Sequence, residues 1–202
     1  MILRRKQKNN RKGAQVTLNI PNLLTLSRLL LVPVYVYAAL AASSMLNLVA
    51  ALAFGIAALT DLFDGFVARR LNQVTDFGKI LDPVVDRILI ISAMVVLYVK
   101  ISALVPLWVV LTVVGRDLLM ILGWVYISHL GIRIKVAYEG KVATAILMFS
   151  VFFLLLDVSV GVFSTTTLGI GLFYIGVALS LVTGLKYVKL GISIIKSKQA
   201  HK

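Results

Sequence analysis

The sequence predicts an all-α integral membrane protein, a bundle of six transmembrane helices with both termini in the cytoplasm. Of its 202 residues 60% are hydrophobic, and the mean hydropathy is +0.98, which is more apolar than a soluble domain of this size. Six apolar stretches reach the length of about 20 residues that crosses a ~30 Å hydrocarbon core as a helix. They are 22–43, 46–68, 79–99, 104–128, 142–163 and 167–190. We therefore expect one membrane domain (16–192) between a basic arm (1–15) and a basic tail (193–202).

The distribution of positive charge predicts the orientation. Lysine and arginine number 21 against 8 acidic residues, and with six spans both basic termini lie on one side. The loops of that side add Arg69, Arg70, Lys79, Arg133, Lys135 and Lys141. The opposite loops carry only Lys100, so the positive-inside rule places both termini in the cytoplasm. The basic arm is then a topology signal and a contact for anionic lipid headgroups, and no nucleic-acid-binding pattern accompanies it.

The first span contains a charge, Arg28, about a turn and a half beyond its start. Two interpretations are open: the side chain snorkels to the cytoplasmic interface, or it faces acidic residues of neighbouring helices. The second span has small residues, among them Ala50 and Gly55, suited to close helix packing. It becomes polar from Thr60 onwards.

The second and third spans carry two pairs of aspartates on either side of a short polar connection. Asp61 and Asp64 are three residues apart and Asp82 and Asp86 four apart, so each pair shares a helix face with Cβ atoms roughly 5–6 Å apart. An antiparallel arrangement of the two spans brings the pairs together as a cage of four carboxylates. Pro83 is expected to bend or loosen the start of the third span.

Such a cage suits divalent cations and a phosphate. Four close carboxylates repel one another unless a cation neutralises them, and Mg²⁺ or Mn²⁺ prefers oxygen ligands. Two such ions about 3.5–4 Å apart clamp a phosphoryl group during its transfer. Between the pairs lie Gly65, Ala68 and Gly78, which permit close approach, and Arg69, which suits a diphosphate. The alternative is that the aspartates only form ion pairs with Arg69, Arg70, Lys79 and Arg87.

The remaining spans hold a second polar position. Arg116 and Asp117 lie inside the fourth span, and because adjacent helical residues do not face each other, we expect them to have different partners. Spans five and six are nearly featureless, with Asp157 at the outer end. Their glycines, Gly161, Gly169, Gly171 and Gly176, are interpreted as packing or turn positions.

These motifs resemble the CDP-alcohol phosphotransferase family. The match is Asp61-x2-Asp64-Gly65-x2-Ala68-Arg69-x8-Gly78-x3-Asp82-x3-Asp86, with NIPNLLTLSR at the first span and GKVAT at the start of the fifth. The resemblance implies a six-span, homodimeric membrane enzyme that moves a phosphatidyl-type group from a CDP-linked donor to an alcohol and releases CMP.

The resemblance also implies roles for individual residues. Two divalent ions, Mg²⁺ or Mn²⁺, are implied to bind Asp61, Asp64, Asp82 and Asp86. Asp86 is also implied as the general base on the acceptor hydroxyl. The CDP portion is implied to bind Asp61, Gly65, Ala68, Arg69 and Gly78.

The acceptor is the less defined substrate. The likeness is to members that use CDP-diacylglycerol and glycerol 3-phosphate, and it implies acceptor-side roles for Arg116, Lys141, Arg133 and Lys135. One departure is Trp124, which stands where those members have a second arginine. The Arg116-Asp117 pair and the GKVAT segment also resemble CMP-forming cardiolipin synthases, so the alternative within the family is cardiolipin formation with phosphatidylglycerol as acceptor. The alternative of another class is a small proton-coupled transporter, since carriers also use intramembrane carboxylates.

Overall fold

Six long helices form the described part of the chain. The computed structural model describes the backbone of residues 20–41, 43–71, 76–129 and 138–200, and the side chains of 23–41, 43–60, 84–123 and 140–193. The helices are α1 (Ile20–Leu40), α2 (Ser44–Leu71), α3 (Asp76–Ile101), α4 (Leu107–His129), α5 (Tyr138–Leu156) and α6 (Thr165–Ala200). Each overlaps one of the six predicted apolar stretches.

A short β-hairpin separates α5 from α6, so the predicted end of the fifth span at 163 was wrong. Strands β1 (Ser159–Val160) and β2 (Phe163–Ser164) pair antiparallel. The helix ends at Leu156 because Asp157 adopts a left-handed backbone, with φ 46°. Thr165 then starts α6: its hydroxyl accepts a hydrogen bond from the Val158 N–H at 2.9 Å, which closes the loop. Because the residues of the hairpin are largely apolar, hydropathy did not distinguish them from the preceding helix.

Contacts between helices show that successive helices run in opposite directions. Lys100 at the end of α3 donates to Asn47 at the start of α2, at 2.7 Å. In contrast, α1 and α3 are parallel, since Arg28 contacts Asp86 and Tyr35 contacts Ser92. Residues 28, 86, 116, 140 and 183 consequently lie at one end of the bundle, here called the polar end. The opposite end contains the β-hairpin and is called the hairpin end.

Helix α1 is the common neighbour of α2 and α3. Within the described residues, α2 and α3 each pack against α1 much more than against each other. The edge of the Phe54 ring in α2 meets the Tyr35 ring of α1, with centroids 5.4 Å apart. The predicted antiparallel direction of α2 and α3 is confirmed, and α1 completes the group.

Close packing of α5 on α6 depends on glycine. A Cβ at Gly169 would lie 2.8 Å from Leu154 Cγ, and one at Gly176 would lie 2.9 Å from Leu147 Cδ2. These are distances that real Cβ atoms do not adopt, so the leucines occupy the space that the glycines leave. The predicted packing role is confirmed for both glycines. Gly161 has φ 60° in the hairpin turn, as predicted, whereas Gly171 has no such neighbour.

The outer surface of the bundle is largely apolar. Leu30, Trp108, Leu111 and Leu122 are among many large apolar side chains that are more than half exposed, and such a surface is unusual for a soluble monomer. Within the described residues, α1 and α6 contain stretches long and apolar enough to span a membrane, at Leu23–Leu40 and Thr165–Ser193. Shorter apolar segments occupy Ser44–Thr60 and Gly140–Leu156.

Candidate active site

Arg28 of α1 pairs with Asp86 of α3 at the polar end. The Arg28 side chain is 0% exposed, and its Nη1 donates to Asp86 Oδ1. The Asp86 side chain remains 30% exposed, so the carboxylate is held from one side and open on another. The snorkelling interpretation of Arg28 was therefore wrong: packing of α1 against α3 buries its guanidinium next to an acidic partner.

A second polar contact fixes the alignment of α1 and α3. The Tyr35 hydroxyl donates to the Leu89 carbonyl at 3.3 Å and is hydrogen-bonded to the Ser92 hydroxyl. Tyr35 lies two helical turns beyond Arg28 on the same face of α1. Two contacts two turns apart set the register of the helices, and they thereby fix where Arg28 meets Asp86.

Asp117 of α4 joins two arginines at the same end. Its Oδ1 accepts from Arg116 Nη1 at 2.7 Å, and its Oδ2 accepts from Arg87 Nη1. The Asp117 and Arg116 side chains are 5% and 8% exposed. The expectation that Arg116 and Asp117 have different partners was thus only half right. Each has a further partner, but the long arginine side chain also turns back to its neighbour.

Arg116 lies where α4, α5 and α6 meet. Its Nη2 donates to the Thr183 hydroxyl of α6 at 3.1 Å. A Cβ at Gly184 would lie 2.9 Å from Arg116 Cγ, so this glycine makes room for the side chain. Gly140 adjoins the guanidinium, since a Cβ there would lie 3.6 Å from Nη2, an ordinary van der Waals distance. Lys141 directly follows Gly140 and is exposed. Both described acceptor-side residues are consequently at the polar end.

Most of the predicted site lies outside the described side chains. This set is Asp61, Asp64, Gly65, Ala68, Arg69, Gly78, Asp82, Trp124, Arg133 and Lys135. The backbones of positions 61–69 belong to the C-terminal part of α2, and those of 78 and 82 to the first turns of α3. By backbone position both segments lie at the polar end, and the carboxylate cage itself stays a prediction.

Carboxylates are the donors that hard divalent cations prefer, so the chemistry of the predicted set fits Mg²⁺ or Mn²⁺. Among the side chains that the structure describes, no three His, Cys, Asp or Glu residues form a group that could hold a metal. Asp86 is the described member of the predicted set, and its 30% exposure leaves the carboxylate accessible to an ion.

Sequence reasoning missed the connection between Arg87, Asp117 and Thr183. Arg87 follows Asp86 directly and was considered only as a possible partner for the aspartate cage. The available signal was Asp117 itself, because a carboxylate in an apolar helix needs a cation or donor near it. Helix α3 supplies Arg87 to Asp117, and α6 supplies Thr183 to Arg116; the relative positions of these helices follow from the tertiary packing alone.

Comparisons with known proteins agree with the motifs. The sequence model of one family, described as CDP-alcohol phosphatidyltransferase, matches residues 18–182. A Salmonella typhimurium protein is 38% identical over 175 residues, which is 84% of this chain and 93% of the relative. Proteins of Escherichia coli (strain K12) and Shigella flexneri are each 37% identical over the same 175 residues and the same shares. All three relatives are named CDP-diacylglycerol–glycerol-3-phosphate 3-phosphatidyltransferase.

Proposed function

The chain belongs to the CDP-alcohol phosphatidyltransferase family, and from that premise we propose that it transfers a phosphatidyl group from CDP-diacylglycerol to glycerol 3-phosphate, releasing CMP. The observation that carries this proposal is the 38% identity over 93% of a relative named for that reaction. The product class belongs to phospholipid biosynthesis, on the route to phosphatidylglycerol.

The reaction needs a group that removes a proton from the acceptor hydroxyl. Asp86 is proposed as this general base, and its partly exposed carboxylate next to the buried Arg28 supports the role. The acceptor oxygen then bonds to the phosphorus that bears diacylglycerol, the bond from that phosphorus to the CMP oxygen breaks, and the proton remains on Asp86. Arg28 and the register contact at Tyr35 hold the carboxylate in place meanwhile.

Each substrate is proposed to bind its own set of residues. The CDP portion would contact Asp61, Gly65, Ala68, Arg69 and Gly78. The acceptor phosphate would contact Arg116 and Lys141, with Arg133 and Lys135 nearby, because guanidinium and ammonium groups bind phosphate through charge-assisted hydrogen bonds. The position of Arg116 beside Gly140 supports this grouping.

Divalent ions are proposed as cofactors. Asp61, Asp64, Asp82 and Asp86 would hold two Mg²⁺ or Mn²⁺ ions, which neutralise the diphosphate charge and stabilise the leaving group. Removing divalent ions with EDTA is expected to abolish CMP release from purified protein, and adding back Mg²⁺ or Mn²⁺ to restore it. Full activity in EDTA would contradict the cofactor assignment.

The chain is a membrane protein by its apolar helices and its family, and we propose that all six helices cross the cell membrane with the polar end in the cytoplasm. The lipid-linked donor, CDP-diacylglycerol, would then enter the site from the bilayer, and CMP would leave into the cytoplasm. The partners are CDP-diacylglycerol, an alcohol acceptor and membrane lipids, with a homodimer as the assembly that the family resemblance implies.

A two-acceptor assay tests the proposal most directly. Detergent-purified protein receives labelled CDP-diacylglycerol with glycerol 3-phosphate in one reaction and phosphatidylglycerol in the other. We expect CMP release with glycerol 3-phosphate. Release with phosphatidylglycerol alone would instead identify a cardiolipin-forming enzyme, which the Trp124 departure keeps as the second candidate. Absence of CMP release with both acceptors would refute the enzyme and favour a carrier.

Asp86→Asn tests the base. The substitution keeps the size of the side chain and removes its basicity, so we expect CMP release to fall by about 10²-fold or more while the protein still purifies as folded protein. Turnover at the wild-type rate would refute the assignment.

A further inference from the structure

We propose that Asp117 is a positioning residue that orients Arg116 towards the phosphate of the acceptor and couples it to the helix that bears Asp86. The inference rests on the proposed function and extends it to a residue for which neither the motifs nor the relatives supply a role. Its basis is the shared carboxylate between Arg87 and Arg116.

The first argument is geometric. A guanidinium has five N–H donors in one plane, and two of the Arg116 donors are used by Asp117 and Thr183, which lie on α4 and α6. Arg116 Nε is buried and has no hydrogen-bond partner within the described residues. Two fixed contacts thus set the plane of the group, and donors remain for a further ligand.

The second argument is electrostatic. Arg87, Asp117 and Arg116 together have a formal charge of +1, so the cluster retains an attraction for an anion. A buried polar atom without a partner is costly, and a phosphate oxygen would satisfy the Arg116 Nε donor. A phosphomonoester is the chemical class that fits both the charge and the donors.

The third argument concerns the position of Arg116, which would hold the acceptor, relative to Asp86, the proposed base. Arg87 is the residue after Asp86 in α3, and Asp117 is the residue after Arg116 in α4. One carboxylate therefore ties the acceptor-side arginine to the helix turn that holds the proposed base. Loosening this connection would move the bound acceptor relative to Asp86. A misplacement of about 1 Å can lower the reaction rate by about 10²-fold.

The test compares Asp117→Asn with wild type in steady-state assays on the full chain in detergent. At saturating CDP-diacylglycerol we expect the KM for glycerol 3-phosphate to rise by on the order of 10- to 100-fold, with the KM for CDP-diacylglycerol unchanged. Asp117→Glu, which keeps the charge, should recover part of the affinity. Asp157→Asn removes a carboxylate at the hairpin end and serves as the matched control, with both KM values at wild-type level.

Ligand-dependent unfolding provides a readout that does not need turnover. Glycerol 3-phosphate or inorganic phosphate should raise the unfolding temperature of wild type and of Asp157→Asn, but not that of Asp117→Asn. If Asp117→Asn does not fold, Thr183→Val loosens the same guanidinium from the other side and should also raise the acceptor KM.

The outcomes separate the two proposals. A wild-type KM for glycerol 3-phosphate in Asp117→Asn, or equal losses for both substrates, would overturn the positioning role while leaving the proposed function intact. An unchanged acceptor KM in Thr183→Val would overturn it where Asp117→Asn is unfolded. Wild-type protein that neither releases CMP nor is stabilised by phosphate would overturn both. If only phosphatidylglycerol supports turnover, the proposed acceptor is wrong, and the same KM comparison with that lipid decides the role of Asp117.

Discussion

At the scale of single residues, the buried charges in the described part of the bundle are paired with opposite charges. A charge in an apolar environment is costly unless an opposite charge or donor satisfies it. Arg28 meets Asp86, and Arg87 and Arg116 both meet Asp117. The Arg28–Asp86 and Arg87–Asp117 pairs each join two helices, whereas the Arg116–Asp117 pair lies within α4. The contacts that stabilise the bundle therefore also hold the candidate site.

The Arg28–Asp86 pair gives a prediction about the base. Arg28→Met retains the apolar stem and removes the cation, so the Asp86 carboxylate loses a contact that orients it. We expect kcat to fall by on the order of 10- to 100-fold, while Arg28→Lys, which retains a positive charge, recovers part of it. Steady-state assays on the purified variants measure both.

Tyr35→Phe is the control for packing. It removes the hydrogen bonds to Leu89 and Ser92 but keeps the aromatic ring against Phe54. If Arg28→Met and Tyr35→Phe lower kcat equally, the role of Arg28 is to hold α1 against α3 and not to orient the carboxylate.

At the scale of elements, the pairing of α5 with α6 is the most extensive contact among the described helices. It depends on small residues because apolar side chains gain little by leaving lipid for a neighbouring helix, and close van der Waals contact provides the stability instead. The Cβ-free faces of Gly169 and Gly176 allow that contact with Leu154 and Leu147.

A pair of glycine substitutions tests this packing. Gly169→Ala places a methyl group against Leu154 and is expected to cost about 1–3 kcal/mol through overpacking. Gly171→Ala lies two residues away in the same helix with nothing within 4 Å of the added Cβ, so it is the matched control and should not destabilise. Thermal unfolding in detergent compares the two, and equal unfolding temperatures would contradict the packing role.

At the scale of the whole molecule, the alternation of helix direction brings the described charged groups of the candidate site to the same end of the bundle. The described acidic and basic groups of the candidate site lie at the polar end, and the β-hairpin lies at the other. The topology proposal assigns the 21 basic residues, counted over the full sequence, almost entirely to the polar side, and by the positive-inside rule it therefore puts that end in the cytoplasm.

Cysteine labelling tests the topology, because the natural chain contains no cysteine and has no background reaction. Val162→Cys lies in the turn of the hairpin and is fully exposed. We expect a membrane-impermeant maleimide to label it from outside in right-side-out vesicles. Ser197→Cys, in the predicted tail, should react only after permeabilisation. Labelling of both positions from the same side would refute the proposed orientation.

The sequence alone determined the positions of the helices and the membrane class, and it is the basis of the proposed chemistry of the aspartate motif. These properties depend on local information: apolar length decides whether a helix can span a bilayer, and the spacing of residues 61–86 decides which side chains share a helix face. The sequence also left Arg28 with two interpretations and predicted the end of the fifth helix too late. Hydropathy decides neither the partner of a buried charge nor the residue at which an apolar helix ends.

Only the tertiary structure decided which charges meet. Arg28 and Asp86 are 58 residues apart, and Arg116 and Thr183 are 67 apart, so no local pattern relates them. Their contacts follow from the parallel alignment of α1 with α3 and of α4 with α6, which burial and small-residue packing impose on the whole bundle. The burial of Arg28 and the shared carboxylate of Asp117 are consequences of that packing.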